Sequence, residues 1–150
     1  MRVIVQEASF DLGAETAAFS SGRKDMGAVV TFSGIVRDTG AERLEAMEIE
    51  HYPGMTEAAL TDIARQAVER WSLGDVLVIH RHGRLEPGDL IMMVATAARH
   101  RKDAFEAAEF LMDYLKSRAP FWKREITAGG ASWVAARDED EEALIRWQGD

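Results

Sequence analysis

The chain has 150 residues, 47% apolar and 29% charged, with no cysteine and a net charge of −8. This suits one domain, residues 1–150, with a core of its own and an acidic tail from about residue 138. The acidic balance, with a pI near 5.0, argues against a general nucleic-acid or membrane-surface binder, because either needs extended positive potential.

Without cysteine the chain has no disulfide, no thiolate metal site and no thiol or persulfide nucleophile of its own. Any sulfur chemistry must use sulfur brought by something else. No apolar run approaches the ~20 residues that span a bilayer, and the start, MRVIVQEASF, lacks the layout of a secretion signal, which points to the cytoplasm.

In chain order, Val3 to Val5 begin a strand and Ala14 to Ser20 a short helix, to which Ala17, Ala18 and Phe19 bring the apolar side chains. From Gly27 the string AVVTFSGIV is β-branched and aromatic, which predicts a buried strand to about Val36. A polar loop, Arg37 to Glu42, leads to a second strand through Leu44, Met47 and Ile49, expected antiparallel to the first. Pro53-Gly54 breaks it, and Thr56 is the expected N-cap of a helix whose apolar positions run from Leu60 to Trp71, with Gly74 closing it. Val76 to Ile79 is a further strand, Pro87-Gly88 a turn, and Leu90 to Ala98 an apolar, central strand.

Next comes a helix with Asp103 and Glu106 as its expected capping pair and Ala104, Ala108, Leu111 and Leu115 as its buried stripe, Phe105 and Met112 beside them. Pro120 forces the exit. Phe121 to Ile126 and Ser132 to Ala135 form a hairpin about Gly129-Gly130, and Asp138 to Trp147 a terminal helix. No internal repeat or linker interrupts this order.

Charge is unevenly spread. Between Arg99 and Arg124, seven Lys and Arg stand against four Asp and Glu, so the local balance is positive in an acidic chain. Such a concentration suits an anionic ligand. Lys116 and Lys123 are separated by Pro120, whose bend could return the second ammonium to the first; like charges in proximity would then lower a lysine pKa into the range of a usable acid or base. The plainer reading is a lysine complementing the helix dipole and a solvated strand lysine. His100-Arg101 lies at a strand-to-helix junction, where free N–H groups also favour an anion. Arg37 leads the polar loop. His51, His80 and His82 read as structural histidines; His80 and His82 could share a metal on one strand face, but no third ligand is apparent.

The strings Gly34-Ile35-Val36-Arg37, Glu50-His51-Tyr52-Pro53-Gly54-Met55-Thr56, His80-Arg81-His82-Gly83 with Pro87-Gly88-Asp89, His100-Arg101 before Ala104-Phe105-Glu106-Ala107, and Tyr114 through Glu125 (YLKSRAPFWKRE) resemble the large, catalytic subunit of molybdopterin synthase. The similarity runs in order from about Gly27 to Arg137. It implies an α/β hammerhead-type fold with an additional small antiparallel sheet. It also implies a homodimer flanked by two small ubiquitin-like subunits, each inserting a C-terminal Gly-Gly thiocarboxylate into a pocket of the large one. The implied substrate is cyclic pyranopterin monophosphate, converted to molybdopterin by two sulfur transfers, with no metal or cofactor of the enzyme's own.

Carried onto this sequence, the resemblance makes Lys116 and Lys123 the catalytic lysines, and Ile35, Val36, Arg37, His100, Arg101, Arg124 and Glu125, with both lysines, substrate-pocket positions. Arg137 corresponds to an arginine delivered by the neighbouring protomer. Arg99 departs from the small residue more usual in the family at that place. A non-catalytic module that binds a phosphorylated small molecule or an acidic peptide tail is the alternative.

Overall fold

Two four-stranded sheets share the strands. The computed structural model describes residues 1–38, 40, 43–134 and 138–148. Its elements in order are β1 (Arg2–Gln6), α1 (Leu12–Ser20), β2 (Ala28–Ile35), β3 (Leu44–His51), α2 (Met55–Trp71), β4 (Asp75–Arg81), β5 (Gly83–Leu85), β6 (Leu90–Ala98), α3 (Arg101–Ser117), β7 (Phe121–Thr127), β8 (Gly130–Trp133) and α4 (Asp138–Ile145). The first sheet has the order β1-β4-β6-β2, with β1 parallel to β4 and the other pairs antiparallel; the second, β5-β3-β7-β8, is antiparallel throughout.

This is the mixed α/β architecture that the sequence implies, with one pairing corrected. β3 does not pair with β2. It joins β5 and β7 in the other sheet, the short β5 being an element the sequence reading did not contain.

Helices cover both faces of the first sheet, so its middle strands have no solvent side to alternate with. Val76, Val78, Met92 and Val94 pack toward Leu60, Ile63, Ala67, Phe110 and Leu111 of α2 and α3, whereas Leu77, Ile79, Met93 and Ala95 pack toward Phe19 of α1. The nearly unbroken apolar run of β6 reflects this two-sided burial. β2 was expected to be buried too, but it is the outer strand, paired only to β6, and Val29, Phe32 and Ile35 stay 37%, 43% and 57% exposed.

The caps also differ from expectation. Gly54, at φ 85°, takes the N-cap position of α2, while Thr56 lies buried inside the helix and accepts the Tyr52 N–H through its hydroxyl at 3.0 Å. Only Gly is at ease with that positive φ, so the break moves back to it. The same helix closes at Ser72, in the left-handed region at φ 50°, before Gly74 is reached. α3 begins at Arg101 with His100 as N-cap, earlier than a cap at Asp103 requires. Glu106 is engaged elsewhere: its carboxylate accepts the Trp71 indole N–H at 2.9 Å and fastens α3 to α2. Phe105 points away from the core, 60% exposed.

At the far end of the chain the hairpin forms, though β8 starts at Gly130 and Ala135 lies outside the described residues, and the terminal helix ends at Ile145, short of the expected Trp147. α4 is held by the Trp147 indole, which donates to Asp113 at 2.6 Å, and by Arg146, which reaches Asp113 and Glu109. Among the described residues no helix is long and apolar enough to cross a membrane.

Two contacts fix the start of α3 against the first sheet. The buried Thr96 hydroxyl donates to the Ala104 carbonyl at 2.8 Å. Gly27, just before β2, lies so near Arg99 that a Cβ would stand 2.5 Å from the Arg99 carbonyl oxygen, a backbone atom that cannot swing aside. Gly27→Ala should therefore cost about 1–3 kcal/mol, as overpacking does, and lower the thermal midpoint. Gly13→Ala, whose Cβ would meet Asp11 at an ordinary 3.5 Å, should not. Equal midpoints in thermal melts of the two variants would refute the contact.

Candidate active site

The exit of α3 and the inner face of β7 enclose a pocket. Lys116 is in the last turn of α3, where a cation suits the carbonyl end of the helix. The chain then leaves past Arg118, whose N–H still bonds the Tyr114 carbonyl at 2.7 Å, and turns through Pro120 into β7. Side chains alternate along a strand. Phe121 and Lys123 therefore share the half-buried inner face, and Trp122, 43% exposed, takes the outer one. The pocket, about 320 Å³, is lined by both lysines, by His80, and by an apolar wall that includes Ile35, Met92, Met112 and Leu115. The bend at Pro120 brings the two ammonium groups to one cavity, as the residue spacing allowed.

Burial and then the neighbouring Lys116 charge push the Lys123 pKa down from its ordinary 10.5 to about 8, and Asp140 of α4 partly opposes them. Lys123 thus stands near the point where an ammonium can give up or recover a proton at physiological pH. Because the folded pKa lies below the unfolded one, the buried ammonium opposes folding below about pH 8. That opposition is relieved as pH rises from about 8 through 10.5.

His80, read as structural from sequence, forms part of this site. Its ring is 4% exposed, stacks on Phe121 with centroids 3.8 Å apart, and has Nδ1 2.7 Å from the Arg81 carbonyl oxygen. Burial first, with the charges of Lys123 and Lys116 acting in the same direction, lowers its pKa to about 3 despite the opposing bond to Arg81. The ring is neutral at physiological pH. His82 lies instead against His51, centroids 4.3 Å apart and ring planes tilted by 38°. Among the described residues no group of three or more His, Asp or Glu is placed to hold a metal ion.

Comparison with known proteins is consistent along nearly the whole chain. The family model described as MoaE protein matches residues 5–118. The chain belongs to this MoaE family. It is 66% identical over 147 residues to the molybdopterin synthase catalytic subunit of Cereibacter sphaeroides, covering 98% of this chain and 100% of that one. The solved molybdopterin biosynthesis MoaE protein from Burkholderia ambifaria MC40-6 is 52% identical, with a TM-score of 0.84 and 99% of each chain covered. A protein-protein complex of subunits 1 and 2 of molybdopterin-converting factor from Helicobacter pylori 26695 has the same fold, with a TM-score of 0.76 at 19% identity over 90% of this chain and 91% of that one.

Not every residue that the MoaE resemblance singled out reaches the pocket. Ile35 does, after a register shift between Gly34 and Ile35 in the pairing with β6. Val36 is a core residue, 2% exposed, and Arg37 beyond it is exposed. Arg124, on the opposite face of β7 from Lys123, pairs with Glu48 across the sheet and lies over the Trp133 ring at 5.5 Å. Glu125 shares the inner face with Lys123, one alternation farther along. His100 and Arg101 are exposed at the start of α3, roughly 22 Å from Lys116 along the axis at 1.5 Å per residue. A separate surface hollow there is lined by Met26, Arg99, His100 and Asp103. Arg137 lies outside the described residues.

If proximity of the lysines sets the Lys123 pKa, Lys116→Met should raise it from about 8 toward, but not to, 10.5, because burial remains as the larger cause. NMR titration of the Lys123 side chain checks this, and an unchanged midpoint would show that the two groups do not interact.

Proposed function

We propose that this chain is the sulfur-transferring, catalytic subunit of a molybdopterin synthase, acting in the cytoplasm as a single domain in molybdenum cofactor biosynthesis. The observation that carries the reading is the meeting of Lys116 and Lys123 in one largely apolar pocket of a cysteine-free MoaE-family chain. A thiocarboxylate tail is an anion that brings its own sulfur. Two ammonium groups attract it, and apolar walls with no carboxylate among them strengthen that attraction by keeping the local dielectric low.

The substrate is cyclic pyranopterin monophosphate, and the partner a small ubiquitin-like subunit ending in Gly-Gly. Sulfur of the thiocarboxylate bonds to a substrate carbon as that carbon's bond to oxygen breaks, the oxygen leaving on phosphate or, once protonated, as water. A further water then cleaves the acyl–sulfur bond, leaving sulfur on the substrate and a carboxylate on the tail. A second transfer completes the dithiolene. Lys116 stabilises the negative charge that develops on the acyl oxygen as water attacks the acyl carbon. Lys123, titrating near pH 8, supplies or takes up the proton.

Arg37, His100, Arg101 and Arg137 hold phosphate and pterin. His100 and Arg101 stand at the other end of α3 from Lys116, so they complete this pocket from a second copy of the chain, in the central homodimer of a heterotetramer. The uncovered apolar residues of β2, Val29, Phe32 and Ile35, support such pairing.

With a thiocarboxylated small subunit and the cyclic substrate, Lys116→Ala should lower the rate of dithiolene formation by about 10²–10⁴-fold, the usual range for a positioned acid–base or charge-stabilising group. An unmutated rate would remove Lys116 from the mechanism, and tail binding without turnover by the unmutated chain would favour the binding-module alternative. Mixing Lys116→Ala chains with Arg101→Ala chains should restore part of the lost activity, since a mixed dimer then holds one intact pocket. No recovery after demonstrated subunit exchange would place Arg101 outside the shared site.

A further inference from the structure

His80 is a polar side chain in this pocket to which neither the sequence nor the sulfur-transfer reading gives a task. The geometry defines what it offers. A carbonyl oxygen can only accept, so the 2.7 Å contact with Arg81 requires the proton to be on Nδ1. Nε2 is then a bare acceptor. No side-chain or backbone group among the described residues bonds it, and it is not sealed from solvent as His51 Nδ1 is, so it opens onto the cavity that the ring lines.

The ring cannot easily turn away. It is stacked at 18° on Phe121, which β7 places on the same face as Lys123. Beside the ammonium groups of Lys116 and Lys123, which only donate, the Nε2 lone pair is a fixed, neutral acceptor. A ligand matched to this set has an anionic end for the lysines and an N–H close behind it.

We propose that His80 Nε2 accepts a hydrogen bond from the last peptide N–H of the Gly-Gly tail whose anionic terminus Lys116 and Lys123 hold. This inference rests on the sulfur-transfer reading and adds a determinant of tail recognition to it. The tail's final residue presents its N–H a short distance behind the terminal carboxyl carbon, and glycine adds no side chain to collide with the apolar wall of Ile35, Met92, Met112 and Leu115. Satisfying a nearly buried acceptor in this way also spares the cost of leaving it unpaired. His80 therefore acts on specificity and placement, while proton transfer stays with Lys123.

The test uses two synthetic peptides, one ending in Gly-Gly and one ending in Gly-sarcosine, which lacks only the last N–H and carries a methyl group in its place. Their ordinary carboxylates stand in for the thiocarboxylate, and binding to the full chain is followed by NMR. The unmutated chain should prefer Gly-Gly by roughly three- to ten-fold, the value of one neutral hydrogen bond. His80→Leu should lose that preference, and His80→Gln, which keeps an acceptor at similar reach, should retain part of it. A steric effect of the methyl group would persist in His80→Leu, and persistence overturns the inference, as does equal binding of both peptides by the unmutated chain. In either case the sulfur-transfer reading stands, because the tail still binds. Failure of the Gly-Gly peptide to bind at all overturns both.

Discussion

The site depends on keeping one ammonium group partly out of water next to another. Lys123 is on the inner face of β7 because strand alternation leaves it no choice once Phe121 stacks on His80 and Trp122 faces outward. Lys116 is held opposite by a helix that is itself fastened along its length, to β6 through Thr96, to α2 through Trp71 and Glu106, and to the turn after α4 through Asp113 and Trp147. Lys116 keeps an exposed side chain, so the desolvation falls on Lys123, which is held in place by β7. The cost is met by the rest of the fold and appears as the lowered pKa of Lys123.

The acidic terminal helix tempers this arrangement. Ser117, at the end of α3, donates to the Asp140 carbonyl at 2.9 Å, and Arg118 pairs with Glu141 at 2.6 Å. The Asp140 carboxylate in turn favours the charged form of Lys123. Packing directs Asp140 and Glu141 to the cations at the exit of α3, so the pocket keeps enough positive charge for an anion without carrying all of the segment's excess.

Much of the frame was legible in the sequence because it depends on local signals. The unbroken apolar run of β6 required two covered faces, the stripe from Ala104 to Leu111 required a buried helix side, and Pro120 between two lysines required a turn. What escaped was non-local. β2 and β6 have similar apolar character, yet only pairing order shows that β2 is at an edge. The resemblance put His100, Arg101 and both lysines in one substrate pocket, but a helix of 17 residues separates the ends of segment 100–124, and a single chain cannot fold His100 back to Lys116. His80 ends the apolar face Val76, Val78, His80 of β4, and a polar residue closing such a face was the available signal. Its partner Phe121 comes from the other sheet, which no local pattern reveals.

On the proposed function the anionic tail enters between Lys116 and Lys123, while the basic start of α3 faces the phosphate and pterin. Only four lysines are present, Lys24, Lys102, Lys116 and Lys123, so pulse labelling with an amine-reactive reagent, read residue by residue by mass spectrometry with and without a Gly-Gly-ended small subunit, separates the two ends directly. The tail should protect Lys116 and Lys123, and removing its final Gly-Gly should abolish that protection, with Lys24 and Lys102 responding the same to either form. Tail-dependent protection of Lys102 with Lys116 and Lys123 unchanged would contradict this placement of the tail.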